Sequence, residues 1–261
     1  MPRNKRILRG IAFLLGIGLI LILVEEGSRI QGKRSVFPTT EEIFRALWDL
    51  LGRRETYAQV LTTVVHAATA VALSAAAGLL LGIAEGMMPF LYAMLRPMHT
   101  LLRSMPMILL AMIMLVVTRF SKDLMPLLTG CLVLVPMISE AGYEGCRRID
   151  GDLKDVYRMD SRMNLRILFR VYLPLIGGYM KQAFVNACGM GVKVIVTAEY
   201  LVQTAESLGQ AVYNRLNAVE YAELFAYALI MLALVLILTG IPAAAIRAAD
   251  RLKKQEEVTS G

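Results

Sequence analysis

An all-α polytopic membrane protein with about six transmembrane helices is predicted by three features of the sequence. The 261-residue chain is 57% hydrophobic with a mean hydropathy of +0.57, more apolar surface than one soluble core of that size can hide. Its apolar residues gather into uncharged or nearly uncharged runs of span length. Its basic residues cluster beside those runs, so the net charge of +7 reads as membrane topology. A nucleic-acid partner is not expected, because no soluble basic face interleaved with aromatics is present. One membrane domain over residues 1–261 is expected, in contact with membrane lipid.

The first element follows a basic leader, Met1-Pro-Arg-Asn-Lys-Arg-Ile-Leu-Arg9. The apolar run 10–24 could be mistaken for a signal peptide, but Glu25 and Glu26 stand where a small-residue cleavage site would be, so an uncleaved first span starting inside is expected. Residues 27–57 then lie outside. After Phe37-Pro38, Ile43, Leu47 and Leu51 recur at four-residue steps and predict a short amphipathic helix on the outer surface or against the bundle. Residues 1–57 thus form the first span and an outer amphipathic segment, and residues 58–251 the core.

The second span, 58–84, is uncharged and carries Gln59, Thr62, Thr63, His66, Thr69 and Ser74. Gly78, Gly82 and Gly86 recur every fourth residue beside Ala68, Ala72 and Ala76, a small-residue ridge on which another helix can pack closely. Residues 87–104 hold Arg96 and Arg103. A run after Met105-Pro106 reaches Thr118, short for a span unless it borrows flanking residues. The next span is 124–139, with Pro136 inside. The methionines of these two spans read as adaptable packing rather than copper ligands, since they have no regular His or Cys partners. Two isolated histidines, and three cysteines without regular spacing (Cys131, Cys146, Cys188), suggest neither a metal site nor a disulfide framework.

Residues 145–174 are a long charged interruption. Leu153, Val156 and Tyr157 fall at i, i+3, i+4, as do Leu165, Leu168 and Phe169, predicting two short amphipathic helices broken near Asp160-Ser161. Asp150 or Asp152 can cap the first, and Ser161 or Asn164 the second. A solvated basic loop is the alternative. Residues 173–200 form a further span with Lys181, Lys193 and Glu199, residues 201–222 an outer loop, and 224–246 the last span, closed inside by Arg247, Arg251, Lys253 and Lys254. The bases beside the spans then sit on one side. The first outer loop is the exception, its bases being matched by acids.

The charged segment resembles the cytoplasmic coupling segment of binding-protein-dependent ABC importer permeases. That pattern is Glu-Ala-Ala, three residues, Gly, about nine residues, then Ile or Val, one residue and Leu-Pro. Counting back from Leu173-Pro174, Asp155-Val156-Tyr157 occupies the Glu-Ala-Ala slot and Ser161 the Gly slot; both depart from the pattern, whereas Val171-Tyr-Leu-Pro174 keeps the exit. Glu140-Ala141-Gly142 is a decoy, having no Leu-Pro at the right distance. Arg103-Ser-Met-Pro106 fits the family's Arg-x-x-Pro entry. Lys193-Val-Ile-Val-Thr-Ala-Glu199, Ser207-Leu-Gly-Gln-Ala-Val-Tyr213 and Glu220-Tyr-Ala-Glu-Leu-Phe-Ala226 are similar to the nitrate/sulfonate/taurine-type branch. The resemblance implies a permease dimer in a bacterial inner membrane with both termini cytoplasmic. It also implies two ABC ATPase subunits below, a solute-binding protein above and a small solute such as a sulfonate-like organic anion. It assigns ATPase coupling to Leu153, Asp155, Val156, Tyr157, Ser161 and Pro174.

No Gly-x-x-x-x-Gly-Lys-[Ser/Thr] loop occurs, so nucleotide energy must come from a partner, and no cofactor or catalytic constellation is legible. An ATP-independent secondary transporter and an intramembrane enzyme are the rival classes. Lys193 and Glu199 are the one ionisable pair with enzymatic promise, yet six residues apart they occupy different helix faces. The candidate pathway residues are His66, Lys193 and Glu199. In one reading Glu199 marks the outer boundary and Lys193 snorkels toward it; in the other Lys193 lines the pathway while Glu199 holds an outer gate through a partner on another helix. His66 reads first as an interior polar residue bonded between helices.

Overall fold

The computed structural model describes residues 25–26, 38–119, 121–148 and 173–259, and every regular element among them is helical. Helix α1 (Thr40–Gly52) opens with a capping box: Thr39 Oγ1 accepts from the Glu42 amide at 3.3 Å, and the Thr39 amide donates to Glu42 Oε2 at 2.8 Å. Ile43 and Leu50 are its buried anchors, packed toward the last helix, whereas Leu51 is 42% exposed. The four-residue step expected through Leu51 fails because a 3.6-residue turn drifts off it. Phe44 and Trp48 point outward, as side chains at a lipid headgroup level do.

Helix α2 (Arg54–Met87) is the central span. It ends where Met88 turns extended and Pro89 begins α3 (Pro89–Ser104), proline being tolerated in a first turn that needs no amide donor. Met105, held extended by the following proline, breaks α3 from α4 (Met107–Val117), and the two helices are bent by 108°. At 11 residues α4 rises only about 16 Å and cannot cross a bilayer alone. Helix α5 (Leu124–Arg147), α6 (Leu173–Val202), α7 (Leu208–Asn217) and α8 (Tyr221–Thr259) complete the described chain. Helix α7 lies within the expected outer loop; Ser207 caps it, accepting from the Gln210 amide at 3.1 Å. Helices α5 and α8 run past their expected ends at 139 and 246, because hydropathy marks only the part at membrane depth.

Among the described residues, four helices (α2, α5, α6, α8) are long and apolar enough to cross a membrane, or five if the bent α3–α4 pair counts as one. The expected first span, 10–24, lies outside the described residues. The ridge on α2 meets α5. A Cβ on Gly78 would stand 2.8 Å from Ile138 Cβ, one on Gly82 would overlap the Ser139 carbonyl, and one on Gly86 would overlap Cys146 Cβ. Helix α6 closes the third side, its Val192 and Ile195 entering the same core as Ala67 and Ala70. Helix α8 is peripheral: 17% of its most apolar stretch is buried, against 61% for α6.

Candidate functional site

At one end of the bundle, helices α2, α6 and α7 converge on Glu199, which has no exposed surface. Thr63 Oγ1 donates to Glu199 Oε2 at 2.7 Å, and His66 Nδ1 lies 2.8 Å from Glu199 Oε1. The Leu208 amide donates to Thr63 Oγ1 at 3.0 Å, and the Gly209 amide reaches Glu199 Oε2 at 3.5 Å. Glycine is needed at 209, since a Cβ there would overlap the Tyr200 amide and the Glu199 side chain. A buried carboxylate is tolerable only when its oxygens are satisfied, and here three groups from two neighbouring helices do so. Glu199 is therefore buried within the bundle, with its partners on other helices.

Lys193 is not part of this cluster. It is exposed on the opposite side of α6, and its backbone carbonyl accepts from Thr197 Oγ1 at 2.8 Å. His66, 21% exposed in its side chain, is bound to Glu199 as its interior reading expects. Beside the cluster, Arg215 on α7 pairs with Glu220 and, at 3.0 Å, with Glu223, which also meets Arg53 at 3.0 Å. Burial opposes the Arg215 charge, but Glu220 and Glu223 outweigh it and hold its pKa above the ordinary value.

The opposite end holds a second polar cluster that sequence reasoning missed. Glu85, also without exposed surface, accepts from Ser139 Oγ at 2.8 Å through Oε2, while His99 Nε2 stands 3.4 Å from Oε1. Thus the chain's two histidines each face a fully buried carboxylate. A signal was present: Glu85 follows Gly78 and Gly82 on the ridge that packs against α5 and had to be buried with it. Next to His99 is a cavity of about 440 Å³, lined by Tyr92, Arg96, Arg103 and Glu140 among others. Glu140 pairs with Arg103 at the edge of this cavity, and Gly142 packs against Gly82. Lys181 pairs with Asp250, tying α6 to α8. Exposed bases at this end include Arg96, Arg103, Arg147, Arg148, Arg247 and Arg251.

Pro174 sits exposed in the first turn of α6. Leu153, Asp155, Val156, Tyr157 and Ser161 lie outside the described residues. Among the described residues no group of three or more His, Cys, Asp or Glu could hold a metal, and no disulfide joins Cys131, Cys146 and Cys188.

Residues 74–253 match the family described as binding-protein-dependent transport system inner membrane component. The fold is similar to that of a chain in the inward-facing MetNI methionine ABC transporter, with 18% identity and a TM-score of 0.57 over 79% of this chain and 95% of that one. No match was found among curated protein sequences.

Proposed function

Because the chain belongs to the family of binding-protein-dependent transport system inner membrane components, we propose that it is the permease subunit of an ATP-driven ABC importer. What supports this reading most is that the family resemblance runs unbroken through the core spans and the coupling segment between α5 and α6. The chain works as a homodimer in a bacterial inner membrane, above two ABC ATPase subunits and beneath a solute-binding protein. We take the end bearing Arg96, Arg103, Arg147, Arg148, Arg247 and Arg251 as cytoplasmic on the positive-inside bias, and with the first span expected over 10–24 both termini lie inside. Glu199 and its partners then lie at the outer end.

Leu153, Val156 and Tyr157 present one apolar face to a groove on the ATPase, with Asp155 beside them, Ser161 at the turn and Pro174 at the re-entry into α6. Helices α5 and α6 are in close contact where they receive this segment, a Cβ on Gly145 standing 2.9 Å from Ile176 Cβ. A push on the segment therefore moves both inner ends together. At the outer end, the tie of Glu199 to Thr63, His66 and α7 acts as a gate that must open for solute to enter from its binding protein. Nucleotide and loaded binding protein bias two arrangements a few kcal/mol apart, which is all that alternating access requires. Lys193 offers its charge to the solute, a small organic anion such as a sulfonate-like nutrient.

Replacing Val156 with Asp sets a charge against the apolar wall of the ATPase groove, a loss of several kcal/mol before relaxation. Co-expression with ABC ATPase subunits of the same genome, using a tag on this chain, is expected to recover the ATPase with wild type and lose most of it with Val156→Asp. Equal recovery would make the segment an ordinary loop. Uptake that proceeds without any ATPase would favour the secondary-transporter class.

A further inference from the structure

Two helices of this chain expose long faces at membrane depth, and their chemistry differs. On α8 the exposed side chains are Leu232, Leu236, Ile237 and Ile241, which suit lipid. On α6 the positions 179, 182, 186, 190, 193 and 197 follow one another at steps of three or four, so they form a single stripe. They are Tyr179, Gln182, Asn186, Met190, Lys193 and Thr197, with Gln182, Asn186, Met190 and Lys193 exposed. The opposite side of α6 carries Ala187, Gly191, Val194, Ile195 and Ala198, all buried in the bundle.

Polar groups aimed at lipid are costly: a lysine within a span must reach water or a partner, and side-chain amides without partners add to the cost. Lys193 has no ion-pair partner among the described residues. Gln182 Nε2 donates to Asn186 Oδ1 at 3.0 Å, which leaves the Asn186 amide nitrogen as an unused donor. Beside these amides the surface is hollow. Met137 and Ala141 of α5 and Gly178, Tyr179, Gln182 and Asn186 of α6 border a space of about 510 Å³, within the range of small-molecule sites. Gly178 deepens it, since a Cβ there would meet nothing within 4 Å.

Given the permease reading above, on which this rests, we infer that the α6 stripe is the wetted wall of the solute path and that it holds two successive stations for a small organic oxyanion. The first is the Lys193 charge. The second is the largely apolar hollow whose border carries the Gln182 and Asn186 amides, a site not identified from the sequence. Seven residues of helix separate Asn186 from Lys193, a rise of about 10 Å, so a small solute touches one station at a time. Lys193 draws the anion in by its charge. The amides then receive its oxygens with neutral donors, which hold less tightly and permit release toward the inner end, as conduction through successive weak sites requires. The second copy of the chain supplies the other wall.

Thiol labelling tests this without knowledge of the solute. In the full-length chain in membranes, with Cys131, Cys146 and Cys188 replaced by alanine, single cysteines are introduced as Gln182→Cys, Asn186→Cys and, on the lipid-facing helix, Leu236→Cys. The probes are anionic ethylsulfonate methanethiosulfonate and its cationic trimethylammonium counterpart. Gln182→Cys and Asn186→Cys should react at least about tenfold faster than Leu236→Cys, because it is the hydrated thiolate that attacks the methanethiosulfonate, forming a mixed disulfide and expelling methanesulfinate. At Asn186→Cys the anionic probe should be favoured about tenfold over the cationic one, and Lys193→Gln should erase that preference. Stripe cysteines as inert as Leu236→Cys would overturn the wetted wall. Labelling that is fast but indifferent to probe charge, or unchanged by Lys193→Gln, would overturn the anion station. If Asn186→Cys is not recovered, Gln182→Cys on the same hollow bears the charge comparison. Either failure is separable from failure of the permease reading, which the ATPase co-purification decides independently.

Discussion

Replacing Gly82 with valine is expected to pull α2 away from α5 and to prevent recovery of the folded protein. Gly82 faces the backbone of α5 directly. Even an alanine Cβ would overlap the Ser139 carbonyl, and a Cβ on Gly142 opposite would stand 3.2 Å from Gly82 Cα. Close approach of this kind is what small residues every fourth position permit in a membrane, where lipid tails are as apolar as leucine and helices associate through contact and hydrogen bonding. Overpacking a tight core costs about 1–3 kcal/mol when side chains can shift aside, and more here because the obstacle is backbone. The same displacement would move Ser139 away from Glu85, stripping a fully buried carboxylate of its hydrogen-bond donor. Thermal unfolding in detergent, followed by the loss of a monodisperse size-exclusion peak, reads the effect. Gly177→Val is the comparison, since a Cβ at 177 meets nothing within 4 Å and should change little. A Gly82→Val protein with the wild-type melting temperature would mean that α2 and α5 do not meet at this ridge.

Glu199→Ala is expected to be the most damaging single truncation at this end of the bundle, where α2, α6 and α7 meet. It removes the acceptor for Thr63 Oγ1, His66 Nδ1 and the Gly209 amide while leaving those groups buried. Breaking a buried polar cluster from one side costs about 3–5 kcal/mol, much of it the penalty of the partners left behind. The loss should be local first, because α7 is held to α2 through the Leu208 amide and to α6 through the Gly209 amide, so residues 203–220 should become open to protease before the spans separate. Glu199→Gln keeps one acceptor oxygen and should fall between alanine and wild type. Lys193→Gln, on the exposed side of the same helix, should leave the melting temperature alone. Were Glu199→Ala to melt with wild type and resist protease equally, the cluster would carry no structural weight.

Much of the architecture was legible before any coordinates. Apolar runs with few or no charges must be helices at membrane depth, because no water is present there to satisfy the backbone, so 58–84, 124–139, 173–200 and 224–246 could be placed from hydropathy. The glycine ridge at 78, 82 and 86 announced a close helix contact, and Met105-Pro106 announced a break. The clustering of arginine and lysine beside particular span ends announced two unlike ends. Family membership was legible in the order and spacing of weak motifs, although the coupling residues carrying the most specific of them lie outside the described residues.

What periodicity cannot reveal is which neighbour occupies a face. The gap between Thr63 and Glu199 is 136 residues, and that between Glu85 and Ser139 is 54, so each pairing exists only because α2 lies against α6 in one case and α5 in the other. Tertiary packing buried Glu199 among partners on α2 and α7 and gave His99 a buried carboxylate to face. It also chose Leu50 over Leu51 as the anchor of α1 and built α7 inside an expected loop. For Lys193, Gln182 and Asn186 the sequence by itself supplied residue types on a span, and their period set them on one stripe. Only the packed bundle decided that this stripe faces outward while the opposite side of α6 is buried. The reason is general to membrane helices: composition decides whether a segment crosses, since that depends on transfer free energy summed along it, whereas the burial of any one face depends on contacts made by residues far away in the chain.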